Sequence, residues 1–165
     1  MSPLEFAEKA SYLGSATLLF LETGALVGLV VPGGDSLVLA LGVLAGLGRL
    51  DPFWLWFTLT VAVVLGQWSG YFWGWKSGAA LLRRVDPAHL ERARRFLARY
   101  GRYAVLLAPF VPVVRTLTPF LAGAGGVPVR RYAFWSALAA FLWIGSLLAL
   151  GYYATGWALR ILAGI

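Results

Sequence analysis

The chain has 165 residues, 60% of them hydrophobic and only 13% charged, where soluble domains run near 25%. With a mean hydropathy of +0.76 this is the composition of an integral membrane protein, and its apolar stretches leave room for one membrane domain, 1–165, and nothing appended. The absence of cysteine and the single histidine, His89, exclude disulfide, thiolate and His-rich zinc chemistry, so neither metal nor cofactor is expected; the net charge of +7 crowds beside apolar spans, which favours anionic lipid headgroups over nucleic acid.

The opening MSPLEFAEKA sets Glu5 and Glu8 ahead of Lys9 and lacks the basic n-region of a signal peptide, so the N-terminus is expected to be kept. Residues 10–48 are too long for one ordinary span and are broken at Pro32, Gly33 and Gly34, which predicts a helical hairpin. That stretch holds Glu22 and Asp35, neither with a basic residue within ten positions. A charge near a bilayer centre costs at least about 2.5–3.5 kcal/mol on insertion scales, so both are candidate functional residues.

Residues 52–75 carry no charge and have tryptophans near both ends, as a spanning helix does. Residues 76–102 follow with Lys76, Arg83, Arg84, Arg92, Arg94, Arg95, Arg99 and Arg102 against Asp86 and Glu91, which places this segment in the cytoplasm. Leu90, Ala93, Phe96, Leu97 and Tyr100 recur at helical spacing, so the segment reads as an amphipathic helix in the interface or as a solvated linker helix.

In residues 103–127, Pro109, Pro112, Pro119 and a cluster of glycines surround Arg115. A straight helix there would lose several backbone hydrogen bonds in lipid, so a second re-entrant hairpin is expected, shielded by protein. Residues 132–155 form a second uncharged span behind Arg130 and Arg131.

The order repeats: amphipathic start, broken hairpin, span, in residues 1–75 and again in 87–156. One span per half reverses orientation, which makes the expected fold an all-α inverted repeat with both termini outside, in a multi-pass plasma (inner) membrane protein. Similarity among Gly/aromatic helix ends, such as Gly70-Tyr71-Phe72-Trp73-Gly74 and Gly151-Tyr152-Tyr153, is the alternative source of the match.

The runs LETG…PGGDSLVLALG, VLGQWSGYFWGWKSG and FLARYGRYAVLLAPFVPVVRTLTPFLAGAGGVPVRRYAFW together resemble the DedA family of bacterial membrane proteins, related to the eukaryotic VTT-domain proteins. The resemblance covers residues 18–156, and P-x-x-R-T-x-x-P-F-x-A-G is its most specific part. It implies movement of polyprenyl phosphate carriers or phospholipids across the bilayer, dependent on proton-motive force. The family's acidic pair falls on Glu22 and Asp35 and its later essential arginine on Arg115. Two positions depart: Pro109 stands where the family commonly has arginine, and Gln67 where it often has aspartate.

The residues themselves allow the same chemistry. Arg115 offers a planar fork suited to phosphate oxygens, with Pro112, Thr116 and Gly123 on its segment completing the expected substrate site. Glu22 and Asp35 are the expected proton-coupling pair, facing Arg115 across an enclosed polar cavity. Two other readings stand beside this one: a buried salt bridge that only joins the hairpins, and Asp35 as N-cap of the helix starting at Leu37. No nucleophile motif or metal-ligand spacing appears, so no enzyme is expected. The expected partners are phosphate-bearing lipids and protons, with an oligomer compatible. The rival functions are a proton-coupled small-solute transporter and a non-transporting membrane scaffold.

Overall fold

In a computed structural model of the protein, residues 3–25 and 33–164 are described. Helix is the regular structure among them, as expected where a backbone in hydrocarbon must satisfy its own hydrogen bonds. Helix α1 (Pro3–Gly24) and α2 (Gly34–Gly46) come from the first apolar stretch and α3 (Pro52–Ser77) from the first span. A single turn, α4 (Ala79–Leu82), leads to α5 (Pro87–Tyr100) in the basic segment. Then come a 3-10 turn at Gly101–Tyr103, the short α6 (Ala104–Leu107), a 3-10 turn at Ala108–Phe110, α7 (Pro112–Ala124) and α8 (Val129–Leu162).

Among the described residues α3 and α8 are long and apolar enough to cross a bilayer. Helix α8, with 34 residues, runs well past the expected 132–155. At 1.5 Å per residue it is about 51 Å long, more than the hydrocarbon thickness of about 30 Å. Helices α2 and α7 have 13 residues each, about 20 Å, too short to cross alone.

The starts and stops have local causes. Asp51 and Asp86 each precede a proline at N1 and accept from the first free amides, Phe53 and Trp54 for α3 and Ala88 for α5. Gly78 and Gly101 end the same helices at φ +55° and +52°, where a side chain would be strained. Helix α5 lays Ala93, fully buried, on Val85 and on Leu117 of α7, so part of its apolar side meets protein.

The second apolar stretch is broken where the prolines suggest, at the 3-10 turn holding Pro109 and at Val111, whose extended backbone (φ −122°, ψ 105°) precedes Pro112 as N1 of α7. Pro119 corrects the expectation, since it lies inside α7 and breaks nothing. The Thr118 hydroxyl donates to the Val114 carbonyl at 2.7 Å, and Gly70 of α3 leaves room for the proline ring. In the first stretch Gly33 is the N-cap of α2 and Gly34 its first residue, while Pro32 lies outside the described residues.

Packing is closest where glycines cross. Helix α2 meets α8 at Gly42 and Gly151: a Cβ on Gly42 would stand 2.6 Å from the Leu148 carbonyl oxygen. Helix α7 meets α3 at Gly74 and Gly123, where a Cβ would collide with the Phe120 or Tyr71 backbone. Helix α1 runs along α3, and α6 touches α8. The core between α1, α2, α3 and α8 centres on Leu19, Val38, Leu59 and Ile144, whereas Phe57, Leu65 and Phe72 of α3 and Phe141 of α8 remain exposed, as lipid-facing residues would be.

Candidate functional site

Arg115 occupies the first turn of α7, its amide bonded to the Val111 carbonyl at 2.8 Å. Its side chain is 3% exposed, so the guanidinium cannot be solvated and must find partners in the protein. It finds three. Nη2 donates to Glu22 Oε1 at 2.6 Å, Nη1 donates to Asp35 Oδ1 at 2.8 Å, and the guanidinium carbon stands 4.6 Å from the centre of the Trp143 ring. The Trp143 indole N–H donates to the same Asp35 oxygen at 3.0 Å.

Each element delivers its residue for a local reason. Gly66 of α3 has no side chain where Thr23 and the Phe20 carbonyl of α1 press in, which draws the end of α1 with Glu22 inward. Gly34 has none where the Glu22 carboxylate lies. Asp35 is in the first turn of α2 and does not cap it, because Gly33 is the N-cap and makes no side-chain bond; the Asp35 carboxylate is taken up by Arg115 and Trp143.

The expected residues are therefore in direct contact and not separated by a cavity. The salt-bridge reading and the expected site residues coincide in one arrangement, with unequal exposure: the Glu22 side chain is 10% exposed and that of Asp35 41%. Two carboxylates against one guanidinium leave one formal negative charge when all three are ionised.

Of the other expected site residues, Thr116 is buried and spends its hydroxyl on the Pro112 carbonyl at 3.3 Å. Pro112 opens α7 at the exposed end. Gly123 lies eight positions beyond Arg115, about 12 Å along the axis, as a packing contact with α3, so it is not brought to the cluster. Sequence reasoning missed Trp143. Its signal was a tryptophan in the middle of a span, away from the interfacial belts where that residue collects.

Behind Arg115 is a chamber of about 10 Å³, room for roughly one water, lined by Gln67, Thr118 and Tyr132 together with Pro109. The buried Arg115 Nε has no acceptor among the described residues. Gln67 and Pro109, the two positions that depart from what the resemblance implies, thus line one space. Among the described residues no three His, Cys, Asp or Glu side chains could hold a metal ion.

Residues 31–153 match the model of the VTT domain. The chain belongs to the DedA family of VTT-domain membrane proteins. This DedA-family chain is 36% identical over 139 residues to the inner membrane protein YghB of Escherichia coli (strain K12), covering 81% of the chain and 63% of that relative. It is 32% identical over 143 residues to protein DedA of the same organism, covering 82% and 65%. It is 30% identical over 158 residues to an uncharacterized membrane protein of Mycobacterium leprae, covering 93% and 70%. The chain spans somewhat less than two thirds of the length of the E. coli relatives. No solved structure matches it.

Proposed function

We propose that this DedA-family protein is a lipid translocase, not an enzyme, which moves a phosphate-bearing lipid, polyprenyl phosphate or phospholipid, between leaflets and couples that movement to protons. It is a protein of the inner membrane, as its relative YghB is by name. The observation that supports transport is Arg115, buried at the start of a half-length helix and held by two carboxylates from the other hairpin. A lipid phosphate offers the same charge and acceptor oxygens as either carboxylate, so it can take the place of one.

Asp35, the more exposed partner, is the one a phosphate meets first. A carboxylate displaced from its cation in apolar surroundings is costly unless it takes up a proton, which links phosphate entry to protonation. Glu22, nearly enclosed, keeps the guanidinium in place during the exchange.

Alternating access follows from an inverted repeat, and the packing supports that reading. Helix α1 lies on α3 as α6 lies on α8, and α2 lies on α8 as α7 lies on α3. Asp35 and Arg115 each stand three residues after a proline, Pro32 and Pro112, so the ion pair joins corresponding positions of the two halves.

Reconstitution into liposomes tests the proposal, following the leaflet distribution of labelled polyprenyl phosphate and phospholipids with and without a pH gradient. Redistribution that needs Arg115 and responds to the gradient is expected. Equal redistribution by Arg115→Gln, or none by the wild type, would sink it.

A further inference from the structure

A second site lies apart from the Arg115 cluster. A groove of about 320 Å³ opens between the end of α5, α6, the end of α7 and the start of α8. Its floor is apolar, with Leu97, Leu121 and Trp135, and its charged members are Arg102 and Arg131. Both arginines are exposed, and neither has a carboxylate partner among the described residues, where the ion pairs are those of Arg115 and of Arg95 with Glu91. Arg102 is held in place, its Nη2 donating to the Tyr103 hydroxyl at 2.8 Å and its guanidinium carbon 4.8 Å from the centre of that ring. Arg131 is in the first turn of the 34-residue α8, where the helix dipole adds positive potential.

We infer that this groove binds an anionic phospholipid, its phosphate between Arg102 and Arg131 and an acyl chain along Leu121 and Trp135. Two guanidinia without acidic partners call for an anion, and the apolar floor calls for a chain that a soluble phosphate lacks. Basic pockets beside membrane helices on the cytoplasmic side take anionic headgroups for this reason. The inference rests on the lipid reading of the function and adds a place. Val105 and Tyr132 line both this groove and the chamber behind Arg115, so a lipid held here is one layer of side chains from that guanidinium.

The test measures lipid binding, not transport. Purified protein in detergent is titrated with phosphatidylglycerol or phosphatidylcholine and bound lipid counted by native mass spectrometry. The wild type is expected to prefer phosphatidylglycerol. Arg102→Gln with Arg131→Gln should weaken that lipid about 25-fold, about fivefold for each cation near the headgroup, whereas Arg92→Gln with Arg94→Gln, the same charge removed from outside the groove, should change it less than about threefold. Leu121→Trp, which fills the floor and spares both arginines, should produce a comparable loss, so the question stays answerable if the double arginine variant does not fold. Equal loss in the Arg92/Arg94 variant, no lipid preference in the wild type, or displacement of the lipid by millimolar glycerol phosphate would each overturn the site. Binding that survives in a protein unable to translocate lipid leaves the groove standing and removes the transport reading; translocation with no preference in binding does the reverse.

Discussion

Gly34 leaves open the space that the Glu22 carboxylate fills: a Cβ built there would collide with that carboxylate. The first residue of α2 thus sets the position of a side chain at the end of α1. Gly34→Ala is expected to push Glu22 off Arg115 and leave a buried Nη2 poorly paired, lowering stability by about 1–3 kcal/mol. Thermal unfolding in detergent checks this, and an unchanged melting temperature would show that the carboxylate has other room.

Arg115→Lys keeps the charge and loses the fork. An ammonium cannot hold Glu22 and Asp35 on separate nitrogens while stacking on Trp143 as the planar guanidinium does. Lipid redistribution in liposomes should fall at least tenfold, roughly 1.4 kcal/mol or more in the rate-limiting step. Activity within twofold of wild type would mean that charge alone suffices.

Glu22→Gln retains a hydrogen-bond acceptor for Arg115 Nη2 and leaves Asp35, the partner that a phosphate displaces, untouched. The expected outcome is a folded protein whose lipid movement still responds to a pH gradient, whereas Asp35→Asn should remove that response. Gradient dependence lost in Glu22→Gln and kept in Asp35→Asn would move proton coupling to Glu22.

Trp143→Phe keeps an aromatic face for the guanidinium and removes the N–H that Asp35 accepts. A loss of about 1 kcal/mol is expected, that of one hydrogen bond, and Trp143→Ala should cost clearly more because it also opens a cavity in the core. Equal melting temperatures for the two variants would contradict this division.

Gly42→Leu and Gly74→Leu act at the two crossings, where a side chain would meet backbone that cannot rotate away. Both should reduce the folded yield in membranes severalfold without touching Arg115, readable by gel-filtration profile after solubilisation.

The cluster was legible because an apolar stretch shows its charges: Glu22, Asp35 and Arg115 stand out against residues that carry none. The break before Pro112 was equally plain, since proline restricts the residue ahead of it. Pro119 misled for the opposite reason. A proline inside a helix costs an amide donor, but whether the helix continues is decided by neighbours, here Thr118 and the glycine face of α3, which a one-dimensional reading does not contain. Trp143 and the groove arginines needed three dimensions too, because the contacts of α8 with α2 and α6 join positions far apart in the chain. The direct pairing, where a cavity was expected, follows from Gly34 and Gly66, whose importance lies in what sits opposite them.

The span between the members of the cluster has a consequence for biogenesis. Arg115 lies 93 residues after Glu22 and 80 after Asp35. At about 5–20 residues per second, roughly 4–16 s of synthesis separate Asp35 from its cation. During that interval Glu22 and Asp35 lack the guanidinium that pairs with both of them in the folded protein. Chains arrested before residue 115 therefore present two acids within an apolar segment without the cation that matches them, and the cost of burying them is offset only once α7 is made.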